Sequence, residues 1–143
     1  MSLRKIKFEI PRKPTPKGRP RYGKYGTVYT PKKTVEYENL IRFMFIQTNE
    51  KAFLDNEAIK IDINFYFKVP DSYTKKRKNN IYAGKELYTK KPDIDNLIKS
   101  VLDGLNGYAY ADDKQIIDIK ATKNYISNKN ENERAEITIY EIN

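Results

Sequence analysis

The 143-residue sequence contains no cysteine and no histidine. The chain therefore cannot build a zinc finger, an iron–sulfur site, a thiol nucleophile or a histidine acid/base pair. Any chemistry must run on carboxylates, lysine, hydroxyls or a bound metal ion, and carboxylates are natural ligands of Mg²⁺ and Mn²⁺. A run of about 18 apolar residues is also missing, and the N-terminus lacks the apolar core of a signal peptide. The expectation is a soluble cytoplasmic protein with no membrane partner and no small-molecule cofactor.

What is present is charge, unevenly placed. The net charge is +9, yet residues 1–35 alone carry eleven Lys/Arg against one Glu. Residues 68–91 carry eight Lys/Arg against two acids, and residues 92–118 carry six Asp against two Lys. A negative island thus lies beside two positive segments. The length suits one domain with a hydrophobic core, spanning residues 1–143. A charged fraction of 33% and a mean hydropathy of −0.83 would suit disorder if the apolar residues were scattered. They are periodic instead.

LRKIKFEI (3–10) places Ile6, Phe8 and Ile10 on one face and predicts a strand. Residues 12–30 are basic and punctuated by proline and glycine, which predicts an arm or loop. Thr30-Pro31 suits an N-cap followed by a first-turn proline, and Tyr37, Leu40, Ile41, Met44 and Phe45 then recur at helical spacing over 31–48. Residues 58–69 alternate from Ile59 to Val69 as a strand. Residues 71–91 show no period and predict a mobile basic loop. From Pro92 the pattern is helical, with Ile94, Leu97, Ile98, Val101, Leu102 and Leu105 on one face and Asn106-Gly107 as the stop. Strands are predicted over 115–125 and 135–142. The order is β-α-β-α-β-β, an α+β domain with a small mixed sheet and helices on one side.

On the second helix Asp95, Lys99 and Asp103 fall at i, i+4 and i+8, opposite the apolar arc. Two readings suit these acids. Asp93 serves as an N-cap, Asp95 as a first-turn acid paired with Lys99, and Asp112-Asp113 as a turn. Alternatively the acids converge on a metal, which requires GYAYA (107–111) to run back along the helix. Tyr22, Tyr25 and Tyr29 offer a similar choice, between stacking on unpaired bases and packing on the sheet, and packing is the simpler expectation.

PDIDNLIKSVLDGLNGYAYADDKQI (92–116) resembles the signature of the RusA family of Holliday junction resolvases: an acidic D-x-D-N-L-x-K helix start, an aspartate eight residues after the second acid, and a D-D-x-Q turn into a strand. KGRPRYG and TPKKTVEYE are also similar to phage and prophage members. The resemblance implies a homodimeric, Mg²⁺-dependent endonuclease, with Mn²⁺ as a substitute, that nicks four-way DNA junctions symmetrically. Asp93, Asp95 and Asp113 would bind metal, Asp112 is a further candidate ligand, and Lys99 would join them in catalysis; Asp103 would contribute a ligand or only shape the site. Lys17, Arg19 and Arg21 in the arm, and Lys75, Lys76, Arg77, Lys78, Lys90 and Lys91 in the loop, would hold the DNA phosphates. A non-catalytic nucleic-acid-binding protein, or a phage nuclease for other branched DNA, are the competing expectations.

Overall fold

The computed structural model describes residues 3–142. A four-stranded mixed sheet forms from β1 (Lys5–Ile10), β4 (Ala58–Phe67), β5 (Ile116–Tyr125) and β6 (Arg134–Ile142), in the order β1-β6-β4-β5. β6 runs antiparallel to both β1 and β4, while β5 lies parallel to β4. A parallel neighbour needs a crossover connection. Here that connection carries α2 (Lys75–Tyr82) and α3 (Ile94–Leu105).

The alternation anticipated from the sequence sets the two faces of the sheet. Ile59, Ile61, Ile63, Phe65 and Phe67 of β4 are buried together with Ile6, Phe8 and Ile10 of β1 and Ala135, Ile137 and Ile139 of β6. α1 (Lys32–Gln47) and α3 cover this face: Tyr37, Ile41 and Phe45 come from α1 and Leu97, Val101 and Leu105 from α3. The helices thus share one side of an α+β domain.

Three local features differ from expectation. First, Pro31 rather than Thr30 occupies the N-cap of α1, and no side chain caps that helix. Second, the segment 71–91 contains α2, whose start is capped by the Thr74 hydroxyl accepting the Arg77 amide. Its single buried residue, Ile81, packs with Val69 and Ile126 in a small cluster joined by the partly buried Tyr82, and two adjacent apolar residues in eight leave no visible period. Third, the arm folds back as a hairpin, β2 (Arg21–Tyr22) with β3 (Val28–Tyr29). Tyr22 and Tyr25 are 79% and 93% exposed, so they do not pack on the main sheet as expected.

α3 lies close to α1 because Gly104 faces Ile41. A Cβ at position 104 would stand 3.0 Å from both Cβ and Cγ2 of Ile41, itself fully buried. Gly104→Ala gains up to about 1 kcal/mol of helix propensity but loses about 1–3 kcal/mol to overpacking. The expected outcome is a net loss of about 1 kcal/mol, read from the denaturation midpoint. A more stable variant would show that the α1–α3 contact has room to give.

Candidate active site

Burial of Leu97, Val101 and Leu105 turns the other arc of α3 outward, so Asp95 and Lys99 are exposed and Asp103 is half-buried. Asp93 sits at the N-cap with extended backbone, but its carboxylate makes no capping hydrogen bond. The capping role that its position allows is not taken up. The Asp95 carboxylate accepts the amide of the next residue, Asn96, at 2.9 Å. The lysine that pairs with an acid of this helix is Lys17, not Lys99.

Residues 106–110 do not run back the length of α3. They close on themselves, with Gly107 at φ 82° donating its amide to the Tyr110 carbonyl. What returns is the Tyr110 side chain, buried beneath the helix C-terminus. Its hydroxyl lies 3.1 Å from the Leu102 carbonyl and 2.9 Å from Oδ1 of Asp113, a choice of acceptors for one proton. Asp113 thereby faces the last turns of α3, and Asp103, Asp112 and Lys99 are the charges that act on it. Burial raises the Asp113 carboxyl above the usual range; the Tyr110 hydrogen bond and Lys99 oppose the rise, while Asp103 and Asp112 add to it. Burial likewise pushes the Tyr110 phenol up, with Asp113 adding to the effect.

Asp112 is a turn residue. Its Oδ1 accepts the Lys114 amide at 2.9 Å, and Gln115 completes a capping box around the short 3-10 turn Asp113–Gln115. Gln115 also donates to the carbonyls of Leu54 and Glu57, fastening this turn to the segment that leads into β4. The D-D-x-Q spacing therefore has two parts: Asp112 and Gln115 build the turn, and Asp113 is presented by it.

Asp113 and Asp95 occupy different levels of the helix. From Asp95 to Asp103 the axis advances about 12 Å at about 1.5 Å per residue. Among the described residues no three acids gather into a cluster ready for a metal ion. The donor chemistry nonetheless fits Mg²⁺ or Mn²⁺: the carboxylates are hard oxygen ligands, Asp93 has no cap bond, and Asp113 has only one oxygen engaged by Tyr110. Mg²⁺ is usually held by one or two carboxylates together with substrate phosphates and waters, so a closed cage of acids is not required.

The basic residues divide into occupied and free. The Lys17 ammonium lies 3.0 Å from both Glu38 and Asp103, with its side chain 19% exposed. Burial works to lower its pKa, but the two carboxylates outweigh it and the net shift is upward. Lys17 is thus engaged by two carboxylates of the protein, and it occupies Asp103 as well. Arg77 is tied to Glu86 and lies 3.7 Å over the Tyr73 ring. Arg19, Arg21, Lys75, Lys76, Lys90 and Lys91 are exposed, and Lys78 is half-buried.

A family model for endodeoxyribonuclease RusA matches residues 11–140. The chain belongs to the RusA family. It is also 32% identical over 142 residues, 96% of each chain, to YqaN, an uncharacterized protein of Bacillus subtilis (strain 168). Membership makes it an endodeoxyribonuclease of the type that resolves Holliday junctions. Among the described residues no helix is long and apolar enough to cross a membrane.

Some supports of this RusA-family site escape a motif reading. Lys123 of β5 pairs in register with Phe65, which puts it on the covered face of the sheet. Its ammonium donates to the carbonyls of Lys90 at 2.7 Å and Pro92 at 2.9 Å, while the Tyr88 hydroxyl donates to the Lys91 carbonyl. Three successive carbonyls leading into Asp93 are thereby fixed. The available signal was parity: Ile119, Ala121, Lys123 and Tyr125 alternate together, and a lysine on a covered face needs partners. Tyr110 gives no comparable signal, being one of twelve tyrosines.

The raised Asp113 carboxyl predicts how its replacement affects stability. With the folded-state pKa above the unfolded one, ionised Asp113 opposes folding at neutral pH, and that opposition is relieved as pH falls through the folded pKa. Asp113→Asn, which still accepts the Tyr110 hydroxyl, should match or exceed wild-type thermal stability at neutral pH. The advantage should shrink on acidification. A less stable variant at pH 7 would make Asp113 a structural acid.

Proposed function

We propose that this protein is a Mg²⁺-dependent junction endonuclease, with Mn²⁺ able to substitute, acting as a homodimer that places paired symmetric nicks in four-way DNA. The supporting observation is that Asp113, held by the Tyr110 hydroxyl, faces the last turns of α3, where Lys99 and Asp103 act on it. An acid left unpaired, half-buried and raised in pKa opposes folding, which suits a ligand awaiting a cation better than a turn residue.

In this reading Asp93, Asp95 and Asp113 are the acids that would hold metal, from two levels of α3 and completed by substrate phosphates and waters, and Asp112 stays in its turn. The bound ion would supply Lewis acidity and an activated water near the scissile phosphate. Lys99, exposed on the same stripe, offers positive charge where a leaving oxygen develops charge. Arg19 and Arg21, with Lys75, Lys76, Lys78, Lys90 and Lys91, neutralise phosphates on either side. Tyr22 and Tyr25, exposed on the β2–β3 hairpin, supply faces for unpaired bases. Acting on DNA recombination and repair intermediates would place the enzyme in the cytoplasm.

Asp95→Asn separates an enzyme from a passive binder. The substitution should cost the fold at most about 1 kcal/mol, since Asn still suits a first turn. It should remove most junction cleavage in Mg²⁺, whereas junction affinity in EDTA should hold or tighten because one repulsive charge is gone. A folded variant that cuts at the wild-type rate would take Asp95 out of the site.

A four-way junction presents two equivalent strands, and two symmetric nicks need two equivalent sites. One chain carries one such set of acids. Sedimentation at micromolar concentration should therefore return a dimer, with or without junction DNA. A monomer under both conditions would exclude the paired-nick scheme.

A further inference from the structure

Beside the N-terminus of α3 the structure holds a cavity of about 310 Å³ that phosphodiester cleavage does not by itself require. Its wall is aromatic. Tyr88 stacks on the fully buried Phe67 with ring centroids 4.4 Å apart and planes 14° off parallel, and Tyr125 meets Tyr88 edge-on at 4.9 Å. The stack is backed by the core, so the half-exposed rings of Tyr88 and Tyr125 form a rigid surface. The volume lies at the lower end of the roughly 300–1,000 Å³ typical of small-ligand pockets.

The rim is charged. Lys13, Lys68 and Lys90 line it, and among the described residues none of the three is in an ion pair. The Lys90 ammonium rests 2.9 Å from the Tyr73 hydroxyl. Asp71 and Glu133 share the rim, and Glu133 also accepts the backbone amide of Lys68. Unpaired lysines suit a phosphate, an aromatic wall suits a base, and carboxylate acceptors suit base N–H groups. Lys13 also lines the neighbouring cleft that contains Asp93 and Asn96, so the cavity opens alongside the acids.

We propose that this cavity is a nucleotide subsite. It receives one unstacked nucleotide near the scissile phosphate, with the base against Tyr88 and Tyr125 and the phosphate toward Lys13, Lys68 and Lys90. The subsite rests on the reading of the chain as a nuclease of branched DNA, where strand exchange supplies nucleotides that are readily unstacked. A base held there adds a contact that unbranched duplex cannot offer without being opened.

The test is a cycle between a protein change and a DNA change. A single abasic site is walked along the nucleotides flanking each cut in a four-way junction. Single-turnover cleavage in Mg²⁺ and affinity in EDTA are measured for wild type and for Tyr125→Leu. At one position the abasic site should slow or weaken wild type by roughly tenfold, the scale of one base–aromatic stack. Tyr125→Leu should show that loss on the intact junction and no further loss on the abasic one. Losses that multiply, or an abasic walk without effect on wild type, would overturn the subsite. If Tyr125→Leu does not fold, Lys13→Ala combined with Lys68→Ala is cycled instead against a methylphosphonate in place of that nucleotide's phosphate, where the two losses should not multiply and multiplying losses would overturn the subsite. Failure of wild type to cut any junction would reject the nuclease reading instead, and the affinity cycle would still decide whether the cavity holds a base.

Discussion

Everything at the site depends on how α3 is phased against the sheet. Leu97, Val101 and Leu105 enter the core, Gly104 lets the helix approach Ile41, and the remaining arc has to face outward. Burying three such side chains stabilises the packed arrangement by several kcal/mol, about 1.5–3 kcal/mol for each. That far exceeds the few tenths of a kcal/mol typical of an exposed ion pair. The orientation of Asp95 and Lys99 is therefore decided by apolar burial, with electrostatics acting on a stripe already aimed.

Both ends of α3 are then pinned by groups from elsewhere in the chain. At the N-terminal end Lys123 and Tyr88 hold the carbonyls of residues 90–92, and the Lys17 amide donates to Asn96. At the other end Tyr110 and the Arg42 guanidinium reach the carbonyls of Leu102 and Asp103. These devices fix backbone next to the acids, and Tyr110 alone among them also engages a carboxylate of the site, Oδ1 of Asp113. The charge of Asp103 is taken by Lys17. That pairing removes one acid from a crowded stripe and joins the arm, α1 and α3 through one ammonium.

Much of this was legible in the sequence wherever a period or a spacing carried the information. The alternation in 58–67 and the heptad-like stripe of 94–105 gave their elements within a residue or two, and the D-x-D-N-L-x-K and D-D-x-Q spacings pointed to the family. α2 was not legible, because a short helix whose packing residues, Ile81 and Tyr82, are adjacent writes no period. The hairpin was missed because its strands are two residues each. The ion pairs of Lys17 with Glu38 and Asp103 were hidden because a sequence gives the sign of a charge but not its partner. The level of Asp113 along α3 was hidden for another reason: a loop of fixed length can close early or run on, and here Tyr110 and the Gly107 turn close it near Leu102.

α2 has a consequence for how the enzyme can change. It stands on its own cluster of Val69, Ile81 and Ile126, apart from the core that holds α3. A cooperative unit with so few apolar contacts opens at lower free energy than the sheet and exchanges its amides sooner. Its lysines can be shuffled, added or removed with little penalty to the global fold. On the proposed role of these lysines in holding DNA, the grip on the substrate can change without disturbing the packing that aims α3.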